Sequence, residues 1–287
     1  MKKSKKNKKK KFEKSLNLKQ ISKLLKKINK TVKINKILMS IAIFLSALLV
    51  IFLLVGFGIY FLNWNNFVTV YASKAVPYPA VIIGKTKTIT YKDYRQNVEL
   101  IRRYHNLNSV MTSFEEFDLA KDKGVKFFKV AQKNTLQNMI ENQIIEDLAQ
   151  KYNVTVTQDQ IQEQSEKIAN LNGGKRKLDE KIEQTYNIET DYFEQNILKN
   201  ALYKKNLKEF LIQSKIIKDD QSSDENEKQT TQTEVDFDQW LNEQIKNYKI
   251  IVLLDNYYWD KENSTLRFSD SDMEKFETQV IKNNSDS

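Results

Sequence analysis

A chain of 287 residues with no cysteine, one histidine and six glycines excludes disulfides, thiolate catalysis and sulfur-ligated zinc, and it has no glycine-rich phosphate loop. Its formal charge of +10 hides a division: residues 1–36 hold 16 lysines and one glutamate, which leaves 31 basic and 36 acidic residues in the rest. So uneven a distribution argues against a uniformly basic, nucleic-acid-binding domain and for a chain whose two parts face different surroundings.

Residues 1–36 read as a basic cytoplasmic arm. Lys2, Lys3, Lys5, Lys6, Lys8, Lys9, Lys10 and Lys11 form a run that cannot bury apolar surface. Beyond it Leu18, Ile21, Leu25, Ile28 and Val32 recur at steps of three and four, which predicts an amphipathic juxtamembrane helix. Near an anionic inner leaflet each lysine contributes on the order of 1 kcal/mol, so lipid headgroups are the expected partner. A purely topogenic tail is the competing reading. Phe12 is the only aromatic residue interleaved with the lysines, so base stacking is not indicated and no nucleic acid is expected.

Ile37 to Leu62 carries no charge. As a helix it spans about 39 Å against a hydrocarbon core of about 30 Å, which predicts a transmembrane helix over 37–62, with Tyr60 and Trp64 at interfacial depth. A cleaved signal peptide, with VYASKA as its site, is the alternative, but the apolar run exceeds the roughly 7–15 residues of such a segment. The positive-inside rule places the N-terminus in the cytoplasm and the C-terminal part outside the cell membrane, as a single-pass protein.

Residues 63–79 are a spacer closed by Pro77-Tyr78-Pro79. Ala80 to Gly84 reads as a strand followed by a turn. Thr90 with Asp93 resembles a capping box, and Tyr91, Tyr94, Val98 and Ile101 mark one face of the helix it opens. His105 to Glu116 reads as a polar loop, with His105 at the surface. The pattern from Leu119 to Tyr152, with Phe128, Leu136, Ile140, Ile144 and Leu148 on one side and Gly124 as a weak point, predicts the central helix. Thr157 and Gln160 form a second capping box, before a helix whose apolar face is only Ile161, Ile168 and Leu171. Asn172-Gly173-Gly174 supplies a turn, and Leu178, Ile182 and Tyr186 mark a short helix. Thr190 caps another, with Phe193, Ile197, Ala201, Leu207, Phe210 and Leu211 on its apolar face. These elements make up a helical domain over 80–217.

Lys218 to Glu234 has six acids, two lysines and no aliphatic or aromatic residue, the composition of a flexible acidic linker. Residues 235–259 return to order: Asp236 and Gln239 form a third capping box, Phe237, Trp240, Leu241, Ile245 and Tyr248 line one helical face, and Ile250 to Leu254 reads as a strand. Residues 260–287 read as a polar, frayed tail, in which Met273, Phe276 and Val280 allow one marginal helix.

The strand and turn AVIIGKTKTIT before a helix, the run LQNMIENQIIEDLAQKYNVTVTQDQI, the segment TDYFEQNILKNALYKKNL and the late FDQWLNEQIKNYKIIV follow the anchor in an order that resembles the SurA N-terminal-domain-like chaperones, the SurA, PpiD and PrsA type. The likeness covers roughly Pro79 to Leu254. It implies a mainly α fold, a single transmembrane helix followed by a multi-helix domain with a short two-stranded β element, in which Ala80–Gly84 neighbours Ile250–Leu254. Many such relatives carry a parvulin-type prolyl isomerase domain where this chain has only Lys218–Glu234, so the resemblance implies a chaperone-like module without isomerase activity.

Independent chemistry is sparse. The acids Asp219, Asp220, Asp224, Glu225 and Glu227 lack the spacing and glycine of a calcium loop, and no H-E-x-x-H or nucleophile motif occurs, so no enzyme, metal or cofactor is expected. Binding by surface remains, with Tyr192, Phe193, Trp240, Tyr257 and Tyr258 as candidate contacts for unfolded or nascent polypeptide and ordinary core packing as the competing reading of each. The expected function is a membrane-anchored extracytoplasmic chaperone. A bitopic scaffold for the translocation machinery or another envelope protein, and an atypical isomerase relative, are the alternatives.

Overall fold

A computed structural model describes Lys23 and residues 39–60, 71–73, 76–112, 118–217 and 237–285. The arm with Lys2 to Lys11, Trp64, the acidic segment Lys218–Glu234 and the capping residue Asp236 lie outside the described residues. The chain divides into two units, Met1–Gly58 and Ile59–Ser287. Among the described residues one helix, α1 (Met39–Tyr60), is long and apolar enough to cross a membrane; its residues from Met39 to Leu54 are all exposed.

The second unit is mainly helical around a small antiparallel sheet ordered β2-β1-β3, with β1 (Pro79–Ile83) central, β2 (Lys87–Thr90) and β3 (Ile250–Val252). Ala80, Val81 and Ile83 are buried, so β1 is part of the core. The register Val81↔Val252, Ile82↔Ile251 and Ile83↔Ile250 brings together the two strands that the family resemblance pairs. Gly84 turns the chain at φ +63°, a conformation costly for other residues, and β2 then adds a third strand to the expected two-stranded element.

Thr90 opens α2 (Tyr91–Thr112) by accepting from the Asp93 amide at 3.1 Å, and its hydroxyl donates to the Asp93 carboxylate at 2.6 Å. This is half of the anticipated box, because the carboxylate meets the Thr90 hydroxyl. The helix continues to Thr112, into the stretch from His105 expected to be a loop. His105 is buried within it, its ring edge-on to Phe128 at 5.5 Å, while Arg102 covers the same ring at 5.2 Å. An aromatic on the next helix thus gives a polar stretch an inward face that its sequence does not display.

The central helix α3 (Asp122–Lys151) buries Leu136, Ile140, Ile144 and Leu148, one stripe at i, i+4 spacing, and Gly124 is accommodated in its first turns. α4 (Gln158–Leu171) begins with the complete capping box, Thr157 accepting from the Gln160 amide at 3.3 Å and Gln160 Oε1 accepting from the Thr157 amide at 3.0 Å. Leu171, expected on its apolar face, is 88% exposed, and the inward positions are Ile161, Ser165 and Ala169. After Gly173 and Gly174, at φ +87° and +104°, α5 (Lys175–Tyr186) buries Leu178 and Ile182.

A continuous rod follows: α6 (Thr190–Phe193), a π turn (Glu194–Leu198) and α7 (Lys199–Gln213). Thr190 is no cap; its hydroxyl donates to Asp179 Oδ1 at 2.6 Å, and Glu189 occupies the cap position without a side-chain bond. α8 (237–245) inserts Phe237, Leu241 and Ile245 into the core. The C-terminal stretch is folded, contrary to the frayed tail expected from its polarity. β4 (Tyr257–Asp260) and β5 (Thr265–Phe268) make a hairpin, and α9 (Ser271–Ser285) docks on α3 with Met273 buried, Phe276 edge-on to Phe127 at 5.3 Å, and Glu277 bonded to Lys133 at 2.6 Å. One of these contacts, the buried pair of Lys133 and Glu277, is ionic, which a hydrophobic pattern does not register.

Candidate functional site

A groove of about 950 Å³ runs between α2, α3 and the rod formed by α6, the π turn and α7. Each helix offers one face at helical spacing. α2 supplies Asp93, Asn97, Leu100 and Tyr104, α3 supplies Asn138, Met139, Asn142 and Glu146, and the rod supplies Tyr192, Phe193, Asn196, Ile197, Asn200 and Ala201. On α3 this face lies beside the core stripe, so the helix buries one side in the module and presents the next to the groove.

The π turn explains the rod's two faces. Phe193 packs against the cluster of Ile161, Leu198 and Leu202, and the widened turn brings Phe193 and Leu198, five residues apart, to the same cluster. Leu198, Leu202, Leu207 and Leu211 are buried. Ile197, which is 41% exposed, and Ala201, also exposed, border the groove, although regular helical spacing assigns both to the core face.

Amide side chains dominate the polar lining: Gln96, Asn97, Asn138, Asn142, Gln143, Gln195, Asn196 and Asn200. Several are pinned by donating from their nitrogen to the carbonyl one turn back, Asn97 to Asp93 at 2.9 Å, Asn196 to Tyr192 at 3.0 Å and Asn200 to Asn196 at 2.6 Å. A side-chain amide so held keeps its oxygen as an acceptor. Two carboxylates add to this, Asp93 and Glu146, the latter accepting from Gln143 at 2.9 Å, and neither is in an ion pair among the described residues. Lys199 is the one cation among the lining residues, and it lies over the Tyr203 ring at 5.9 Å. The Tyr192 hydroxyl has its pKa raised, first by burial and then by the neighbouring Asp93 charge; Tyr203 is raised by burial and by Glu146.

The five aromatic candidates divide. Tyr192 and Phe193 border the groove. Trp240 lies elsewhere, against Tyr152 at 6.3 Å and Phe237 at 5.9 Å. Tyr257 is core: it is 7% exposed, its hydroxyl is 3.4 Å from that of Tyr94, and burial raises its pKa. Tyr258, next along β4, is 50% exposed and does not border the groove. Sequence reasoning missed Tyr104, the residue just before the supposed loop, and the amides, which it did not single out. The recoverable signal was asparagine at i, i+4 spacing, Asn138 with Asn142 and Asn196 with Asn200. His105 belongs to the buried packing of α2, and burial lowers its pKa. Among the described residues no three His, Asp or Glu side chains gather as a metal site.

The lining thus combines acceptors, two uncompensated carboxylates and a moderate apolar floor, without a nucleophile poised against a base. It suits reversible contact with a long, flexible, hydrogen-bonding ligand better than enclosure of a small one. No protein-family model and no curated protein matches the chain.

Proposed function

We propose that this protein is a membrane-anchored chaperone that holds unfolded or newly translocated polypeptide in the groove between α2, α3 and the rod, without nucleotide and without catalysis. The observation that carries the reading is the lining itself. Carboxamides match the main-chain groups common to every polypeptide, while Leu100, Met139, Phe193 and Ile197 accept apolar side chains with little demand for sequence. Further support is the pairing of β1 with β3, the arrangement implied by the resemblance to SurA N-like chaperones. In this reading α1 spans the cell membrane, the lysine-rich end is cytoplasmic and contacts anionic lipid, and the helical unit is extracytoplasmic.

The test uses the full chain in lipid nanodiscs and a chemically denatured client diluted into it. Aggregation is suppressed by the native protein and not by Ile197→Asp, which sets a charge on the groove floor at a position exposed enough to leave the fold intact. A scaffold for a defined partner leaves the client unprotected in both cases, and that result would overturn the proposal.

A further inference from the structure

The groove meets the sheet at Thr88. In β1 the Ala80 carbonyl accepts from the Leu253 amide at 2.9 Å, and the Gly84 amide donates to the Lys249 carbonyl at 2.8 Å. Even-numbered residues of β1 therefore turn their main-chain groups toward β3, and odd-numbered residues turn theirs toward β2. Val81 stands opposite Ile89, and Ile83 opposite Lys87, as hydrogen-bonded pairs; Thr88, opposite Ile82, must point its N–H and C=O away from the sheet. β2 is the outermost strand on that side, and among the described residues neither group of Thr88 has a partner. Thr88 and Ile89 both border the groove. Successive strand residues point to opposite faces, so both do so because the groove runs along the strand's edge.

We propose that a client enters as an extended, lysine- or arginine-bearing segment that adds a strand to the open edge of β2, pairing its main chain with Thr88 and its cationic side chain with Asp93. This rests on the holding function above and adds the mode of recognition. Charge selects the occupant: Asp93 and Glu146 face Lys199 alone among the lining charges, so an incoming cation is favoured and an acidic strand is repelled. The open edge selects its conformation, because only an extended chain presents an N–H and a C=O to one residue of a strand. The pinned amides beyond it continue the polar contacts along the groove.

The experiment measures binding of a labelled, unstructured ten-residue peptide of leucine, serine and lysine to the full chain in zwitterionic nanodiscs, with empty nanodiscs subtracted. A series of peptides, each carrying one backbone N-methyl group, removes one donor at a time. Methylation at the edge-pairing positions lowers affinity about five- to tenfold, the scale of one or two main-chain hydrogen bonds, and methylation of the intervening residues is nearly silent. Thr88→Pro causes a comparable loss, whereas Thr88→Val binds as the native chain does. Proline at this outward position removes no ladder bond, and an unchanged melting temperature verifies the fold. A flat N-methyl series, or Thr88→Pro binding as the native chain does, overturns the proposal; if Thr88→Pro misfolds, the peptide series alone decides. Binding with a flat series removes only the edge-pairing mode, while no binding of any peptide removes the holding function with it.

Discussion

Lys133 and Glu277 meet at 2.6 Å with only 9% of each side chain exposed, and Lys133 also lies 5.6 Å from the Phe268 ring centroid. Removing one partner of such a pair strands a buried charge and costs about 3–5 kcal/mol. Glu277→Leu is therefore expected to lower unfolding free energy by about 3 kcal/mol in urea titrations, and the double variant Lys133→Met, Glu277→Leu to recover most of it. His105 gives a pH dependence. Burial lowers its pKa below 6.5, so the unfolded chain takes up a proton that the folded chain resists. Its contribution is fully present above about pH 6.5 and is lost as pH falls toward the folded pKa. Melting temperature should decline between pH 7 and pH 5, and His105→Leu should reduce that decline. At the groove, Asp93→Asn should narrow the affinity difference between lysine-bearing and glutamate-bearing peptides, read by fluorescence anisotropy.

Elements differ in how plainly the sequence announces them, and the reason is where their packing energy comes from. α3 is legible because Leu136, Ile140, Ile144 and Leu148 repeat at one spacing and are all buried. The start of α4 is legible because its cap is local, made by Thr157 and Gln160 alone; Thr157→Ala should destabilise the module by about 1 kcal/mol in thermal or urea unfolding. The far half of α2 is not legible and α9 is legible only as a marginal helix through Met273, Phe276 and Val280, since His105 and Glu277 become interior only through Phe128 and Lys133 on another helix. The π turn is hidden for a related reason. A single widened turn moves Ile197 from core to groove without altering composition, so a regular helical wheel misplaces it. Of the candidate site, the sequence yields Tyr192 and Phe193 but not the amides around them, because asparagine reads as surface whether it faces water or a ligand.

At the scale of the whole molecule, an apolar helix that exposes every side chain from Met39 to Leu54 is matched to lipid and poorly to water. The chain should remain in the pellet after alkaline carbonate extraction of membranes, and protease added outside intact spheroplasts should degrade the helical unit while sparing the lysine-rich end. Recovery in the supernatant would overturn the anchor, and protection of the helical unit would overturn its orientation. The folded unit also has a topological signature, since β1 near its beginning pairs with β3 close to its end, a long-range closure that slows folding.

That closure has a practical meaning for a protein made from one end to the other. Its first strand emerges early and must wait, bare of its second neighbour, until almost the whole chain has been made, so a product halted before Ile250 lacks the fastening rather than merely a few last residues. Once fastened, the loop behaves like a clasped bracelet: a single cut between Ile217 and Phe237 leaves two pieces gripping one another, and they should travel together through a sizing column until a denaturant opens the clasp.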